Sequence, residues 1–328
     1  LTGWIHTSGN DPADATIESG AVVTGLDFGY AQMGTGTVGI DVAAVSTLAG
    51  SGVSGLTDGV GSGAQFVDPR DVVVVGGFGY VADGTAIRRV ELTTGVVDTF
   101  VGTSEGGLVD SNVPAEVRFL NPFAITTDGY FLYVAELSYS GYGFVRRVSL
   151  ATGETSTLWS SPVESVVDVT FGPGGLYMAT AGEDVYLVEP EGATLVVSLP
   201  ISTAGSITSD AGYLWVMGFD GTSGTETLFR IDPTMQLVDS WVLGSEFQWE
   251  TLESAGDYLY GVGRTAREVR RITKADRSWT VIAGSGTEGF ADGTGVDAWF
   301  GWVEGIATDG TSPVSYTHLT LPTMLAQC

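Results

Sequence analysis

The sequence predicts an all-β fold of small four-stranded antiparallel sheets, and three observations carry that prediction. Short β-branched and aromatic runs bounded by Gly, Asp and Pro recur along the 328 residues. No segment shows the apolar period of a helix. An aromatic-centred run returns every 38 to 53 residues, room for four short strands and their turns. Composition agrees. The 48 glycines are about twice the average share, and charged residues make up 16% against about a quarter in typical domains. Hydrophobic residues at 43% and aromatics at 10% suffice for a core and exclude wholesale disorder. No apolar run approaches the ~18 residues of a membrane helix.

The elements repeat in order. Aromatic strands align at Phe78–Asp83, Phe131–Glu136, Gly175–Ala179, Tyr213–Met217 and Tyr258–Val262, with Phe28–Ala31 upstream, giving the column Tyr30, Tyr80, Tyr133, Tyr177, Trp215 and Tyr260. A second strand follows each complete copy (Ile87–Val90, Val145–Val148, Val185–Val188, Leu228–Ile231, Val269–Ile272), then a third (Val97–Val101, Thr157–Trp159, Leu195–Leu199, Leu237–Val242, Thr280–Ala283). A fourth precedes the aromatic (Val72–Val75, Ala124–Thr127, Val166–Thr170, Ser206–Ser209, Thr251–Ser254, Gly305–Thr308). Four strands per repeat make a β-propeller of four-stranded blades. Five complete blades begin near residues 64, 117, 162, 202 and 247. A further one starts at Phe300, and residues 18–46 read as the later strands of a blade. The expectation is a six-bladed ring over 18–312, with the last blade incomplete or closed by N-terminal strands. The alternative is that both ends are cut from a longer array.

Residues 1–17 form a ragged leading segment that starts at Leu1 without a secretion signal. Residues 313–323 resemble a translated sequencing adapter, a transposase mosaic end that reads Val-Ser-Tyr-Thr-His-Leu in one frame. The tail 313–328 is therefore expected to be non-native and is set aside from fold reasoning. It holds the one cysteine, Cys328, and one of two histidines, His318; only His6 remains. Disulfides, Cys-based metal sites and a multi-histidine zinc site are excluded, as is a Ser-His-Asp triad that does not reach His6.

Two stretches carry a resemblance to NHL repeats: Leu48-Ala-Gly-Ser-Gly with Asp58-Gly, Phe66-Val-Asp-Pro69, Tyr80-Val-Ala-Asp83 and Ile87-Arg-Arg-Val90, then Ile282-Ala-Gly-Ser-Gly with Gly289-Phe-Ala-Asp-Gly293 and Phe300. The likeness covers most of residues 21–312. The middle copies depart from it, lacking the pre-strand proline and the acid after the aromatic. The resemblance implies a six-bladed propeller, commonly used for binding. Animal NHL propellers that bind RNA do so through basic faces; here the net charge is −26, which repels phosphate at long range.

Local motifs are read against this frame. The Arg-Arg pairs 88/89, 146/147 and 270/271 sit on strands, so alternation sends one to each face, where it can meet Asp83 or Glu136. The aromatic column is expected in the core. Gly59–Ala64 loosely resembles a dinucleotide loop but no helix follows, so it reads as a turn, like Asp58-Gly59 and Asp292-Gly293. Lys274 is the sole lysine. The long segments 50–65, 102–118 and 284–299, with 136–144 and 219–227, all leave one face, as binding insertions do in repeat arrays.

That face also holds the channel mouth. The aromatic register places Arg70, Phe123, Val167, Gly205, Glu250 and Glu304 at one ring level. Asp71, Ala124, Asp168, Ser206, Thr251 and Gly305 lie a step deeper, with Asp68, Asn121, Gln248 and Trp302 just outside. The candidate binding residues are Asp68, Arg70, Asp71, Asn121, Phe123, Asp168, Gln248, Trp249, Glu250, Trp302 and Glu304. Carboxylates, one arginine and flanking tryptophans suit a cationic or sugar-like ligand, or a peptide. The expected function is non-enzymatic binding of a protein, peptide or glycan by part of a larger exported or cell-surface protein. No catalytic residue, membrane span, nucleic-acid partner or obligatory cofactor is expected. The alternative is a six-bladed hydrolase, such as the calcium-dependent lactonases, or a lyase, with a divalent cation held by Asp168, Glu250 and Glu304. Calcium is the one cofactor considered, although no Asp-x-Asp-x-Asp-Gly loop is present. Amidating lyases with NHL-like propellers use zinc and histidines, which this chain lacks. A purely structural spacer is the third reading.

Overall fold

A computed structural model describes residues 27–29, 42–137, 141–161, 165–190, 192–210, 212–245, 249–263, 265–308 and 313–318, with the backbone alone for 27–29, 249–250 and 313–318. Strand pairing follows the repeat, and the fold is a β-propeller. Each blade runs from an inner strand a to an outer strand d. Blade 1 comprises Pro69–Val75, Phe78–Asp83, Ala86–Glu91 and Val96–Gly102, and blade 2 Pro122–Thr127, Phe131–Leu137, Gly143–Ser149 and Thr155–Ser161. Blade 3 comprises Val166–Gly172, Gly175–Thr180, Asp184–Glu189 and Gly192–Ser198. Blade 4 has Thr203–Ser209, Leu214–Asp220, Thr225–Ile231 and Leu237–Gly244, and blade 5 Trp249–Ala255, Tyr258–Gly263, Glu268–Thr273 and Trp279–Ala283.

The blade count needs a correction: five blades, not six, are each built from one continuous stretch of chain. A further sheet is mixed in origin and pairs Trp302–Thr308, Pro313–His318, Asp27–Gly29 and Thr47–Ala49 in that order. Its strand Trp302–Thr308 packs against the inner strands of blades 5 and 1. Pro313–His318, excluded from the sequence-based fold, takes the second position in that sheet. Blade 1 also departs from four strands, because Gly59–Val60 pairs with Val96–Val97 as a fifth.

The core is divided among the blade gaps. Tyr80, Val101, Phe119 and Leu132 cluster between blades 1 and 2, and Tyr133, Val145 and Met178 between blades 2 and 3. Tyr177 and Phe229 do so between blades 3 and 4, and Trp215 and Ile272 between blades 4 and 5. Tyr80, Tyr133, Tyr177, Trp215 and Tyr260 are all buried, as blades sandwiched on both faces require; Tyr30 lies outside the described residues. No helix among the described residues is long and apolar enough to cross a membrane.

The three longest connecting segments leave the mouth face, and none of them lines the mouth cavity. Residues 50–65 run down the outer edge of blade 1, where Gly61 donates to the Gly95 carbonyl beside the c–d turn. Residues 102–118 do the same on blade 2, where Ser111 bridges Thr155. Residues 284–299 reach Ala44–Val45 through Gly293–Thr294, and Thr47 Oγ1 donates to Asp292 Oδ1 at 3.0 Å. These three segments cover sheet edges, which would otherwise offer unpaired backbone groups.

The first arginine of two pairs fastens these segments. Arg88 is fully buried and donates to Asp83 (3.2 Å), Asp58 (2.9 Å) and the Gln65 and Thr57 carbonyls. Arg146 repeats this with Glu136 (2.8 Å), Asp110 (3.0 Å) and the Arg118 and Val109 carbonyls. Each guanidinium also lies over a phenylalanine, Phe66 or Phe119. Asp58 thus anchors its segment instead of merely shaping a turn.

Candidate functional site at the channel mouth

Every inner strand carries a β-bulge at the same level. In blade 1, Pro69 pairs with Asp83 and Asp71 with Ala82, so Arg70 is extra. The same slip leaves Phe123, Val167, Gly205, Glu250 and Glu304 extra in the others. Neighbouring residues of a regular strand point to opposite faces, and a bulge breaks that alternation. Consecutive residues such as Arg70 and Asp71 therefore line one channel. The six bulge positions are the ring level that the aromatic register had indicated.

The mouth is a cavity of about 290 Å³. Arg70, Asp71, Phe123, Asp168, Gly205 and Glu304 line it, and Leu137, Val166 and Ala204 extend its apolar wall. Asp71, Asp168 and Thr251 also border a second cavity of about 220 Å³ toward the opposite end of the channel. That second cavity is hydroxyl-rich (Thr126, Thr170, Thr208, Ser209) and contains Glu253.

Much of the channel polarity holds blades together. Asp71 Oδ2 accepts the Ile125 N–H of the next blade at 2.8 Å. Asp168 Oδ2 accepts Ser206 Oγ (2.7 Å) and the Ile207 N–H (2.9 Å), while its Oδ1 accepts the Val169 N–H. Ser206 Oγ in turn accepts the Leu252 N–H at 2.9 Å, and Thr251 Oγ1 donates to the Glu304 carbonyl. One level deeper, Thr126 accepts the Phe171 N–H and Thr208 the Ser254 N–H. Inner strands of neighbouring blades are not paired through their backbones, so side chains supply partners for buried N–H groups. Gly305 belongs to this level because its strand approaches closely: a Cβ there would sit 2.8 Å from Asp71 Cα.

Electrostatically the channel is acidic, and its carboxyls are buried. Burial pushes Asp71 well above the usual carboxylate range, with Asp168 adding repulsion and the Ile125 and Val72 N–H groups opposing it. Burial raises Asp168 to about 6 against its hydrogen bonds, and raises Glu253 to about 7 despite the Thr208 hydroxyl. At the rim, Arg70 is shared between Asp68 (2.8 Å) and Glu304 (3.3 Å).

The sequence-indicated residues thus fall into three groups. Arg70, Asp71, Phe123, Asp168 and Glu304 converge on the cavity, and Asp68 reaches it through Arg70. Asn121 and Trp302 do not line it. Gln248 lies outside the described residues, and for Trp249 and Glu250 only the backbone position is described. Leu137, Val166, Ala204 and Glu253 were not singled out by sequence. Alternation from Thr251 could have found Glu253, but Leu137 enters from strand b opposite a bulge. Among the described residues no group of three or more His, Cys, Asp or Glu is placed to hold a metal ion. Asp168 is committed to Ser206 and Ile207, and Glu304 to Arg70.

No protein-family model matches the chain, and no characterised protein matches it in sequence. Solved structures match in fold. A Bacteroides thetaiotaomicron protein of unknown function aligns with TM-score 0.58 and 16% identity over 83% of this chain and 75% of the other. The nidogen/laminin complex gives 0.53 and 13% over 76% and 86%. The PQQ-bound aldose sugar dehydrogenase of Streptomyces coelicolor gives 0.54 and 15% over 83% and 96%. At such identities the likeness shows a β-propeller and nothing finer.

Proposed function

We propose that this protein is a non-enzymatic binding module that engages a protein, peptide or glycan ligand at the channel mouth. The observation that carries it is the bulge repeated in every inner strand, which turns consecutive residues into one cavity. Bulges are enriched where a sheet re-aims side chains toward a site. The scarcity of cysteine, lysine and histidine, with one, one and two in 328 residues, supports binding over catalysis by those residue types. The net charge of −26 disfavours a nucleic-acid ligand. One fold neighbour, the nidogen/laminin complex, is a protein–protein assembly, which makes a protein ligand compatible with this architecture. The same reading takes the chain as an NHL-type propeller of an exported or cell-surface protein, with residues 313–328 of non-native origin.

The test is a panel of immobilised peptides and glycans followed by calorimetry. Joint alanine substitution of Arg70, Trp249 and Glu250 is expected to weaken a bound panel member by about tenfold or more. Unchanged affinity would remove the mouth as the binding site.

A further inference from the structure

We propose that the mouth takes the side chain of a lysine presented by a basic polypeptide partner, its ammonium directed at Asp71 and Asp168. This rests on the mouth being the binding site. The six bulge positions divide by chemistry. Phe123, Val167 and Gly205, on blades 2 to 4, form an uncharged arc that Leu137, Val166 and Ala204 extend. Glu250, Glu304 and Arg70 complete the ring across blade 5, the mixed sheet and blade 1. Because Arg70 is already shared by Asp68 and Glu304, this second arc is anionic on balance. A ligand matching both arcs has an apolar stem and a positive head.

Size and donor geometry narrow the class. A cavity of about 290 Å³ is at the small end of ligand pockets, so it suits one side chain. A carboxylate offers about four acceptor sites, and Asp168 has committed three to Val169, Ser206 and Ile207. The two floor carboxyls also come from blades 1 and 3, not from adjacent blades. A planar guanidinium fork needs a bidentate partner, whereas an ammonium is a point charge with freely turning donors on a flexible four-carbon stem. The net charge of −26 would steer a basic partner inward. The chain's own single lysine does not compete, because Lys274 Nζ donates to Asp210, Ser254 and Gly256. Burial holds protons on the floor carboxyls to about pH 6 at Asp168, so an arriving ammonium should displace one.

The test is calorimetry on the full chain at pH 6 in two buffers of different ionisation enthalpy. The probes are capped Gly-Lys-Gly, its Nε-acetyl form and capped Gly-Glu-Gly. The lysine peptide is expected to bind with proton release, and Nε-acetylation to weaken it about tenfold or more, the loss of one charge-assisted contact. Asp168→Asn is expected to do the same. Phe123→Ala, which leaves the inter-blade bonds of Asp168 intact, is expected to weaken the lysine peptide and keeps the test open if the first variant misfolds. Equal binding of the acetylated or acidic peptide, still lost in the Arg70/Trp249/Glu250 variant, overturns the lysine assignment and leaves the mouth as the site. Binding of these probes that no mouth substitution changes overturns both. Binding by none overturns the lysine assignment, and the wider panel then decides the mouth.

Discussion

Blades 1 and 2 close their mouth-side ends differently from blade 4, and their outer edges differ with them. In blades 1 and 2 a long connector lies along strand d, fastened by a buried arginine and a buried acid on strand b, Asp83 or Glu136. In blade 4 the equivalent strand-b position is Gly218, and Ile201 from a short connector fills the space: a Cβ at Gly218 would meet Ile201 Cδ1 at 2.1 Å. No described connector covers strand d there, and Val242 is 68% exposed with Leu237 and Val238 also exposed. A long connector brings many backbone groups that need partners, and a branched cation with five donors can serve several at once. A short connector needs only an apolar plug. The ionic fastening therefore follows connector length, not function.

The largest expected effect breaks that fastening. Arg146→Met removes the cation from the buried Glu136 and the donor from the Arg118 and Val109 carbonyls, and should cost about 3–5 kcal/mol in chemical denaturation, with new proteolysis within residues 102–118. Arg230→Met in blade 4, at the register of Arg147, should cost less, about 1–2 kcal/mol, since Arg230 sits 3.9 Å from Asp239 at a partly exposed site and lies over Tyr213, Trp215 and Trp241. Equal losses would show that the two blades do not differ in this way.

Next in size is Gly218→Ala, expected to cost about 1–3 kcal/mol by overpacking against Ile201. Adding Ile201→Ala should recover part of that loss. A neutral Gly218→Ala would mean the plug is not tight.

The pH response sharpens the comparison further. Burial outweighs the paired arginines and lifts Asp83 to about 6 and Glu136 to about 7. Both exceed the ordinary carboxylate value near 4, so the folded state holds more protons than the unfolded state. Their stabilising contribution is complete below about pH 4 and is lost as pH rises through 6 to 7. The melting temperature should therefore be higher at pH 5 than at pH 8, and Glu136→Gln should flatten part of that slope. An unaltered slope in the variant would contradict the assignment. The smallest effect concerns the uncovered edge: Val242→Lys should change stability by less than about 0.5 kcal/mol while reducing self-association in light scattering.

The fold was largely legible because propeller blades repeat their apolar columns, and Tyr80, Tyr133 and Tyr177 announced the register. The ring of Arg70, Phe123, Val167, Gly205, Glu250 and Glu304 was legible for the same reason. What no column reveals is the backbone slip that turns Arg70 and Asp71 into the same channel. Nor does it show that Asp168 and Ser206 serve neighbouring blades, since hydrogen bonds across a gap leave no spacing signal. The path of residues 50–65 along the edge of blade 1 was not legible, because connector length says where a segment leaves a blade, not where it lies.

Hydrogen–deuterium exchange of the full chain with and without capped Gly-Lys-Gly tests the central claim most directly. Protection confined to the peptides containing Arg70–Asp71, Phe123, Val166–Asp168 and Ala204–Gly205 is the predicted result. Protection at strand d of blade 4, along residues 50–65, or nowhere would contradict it.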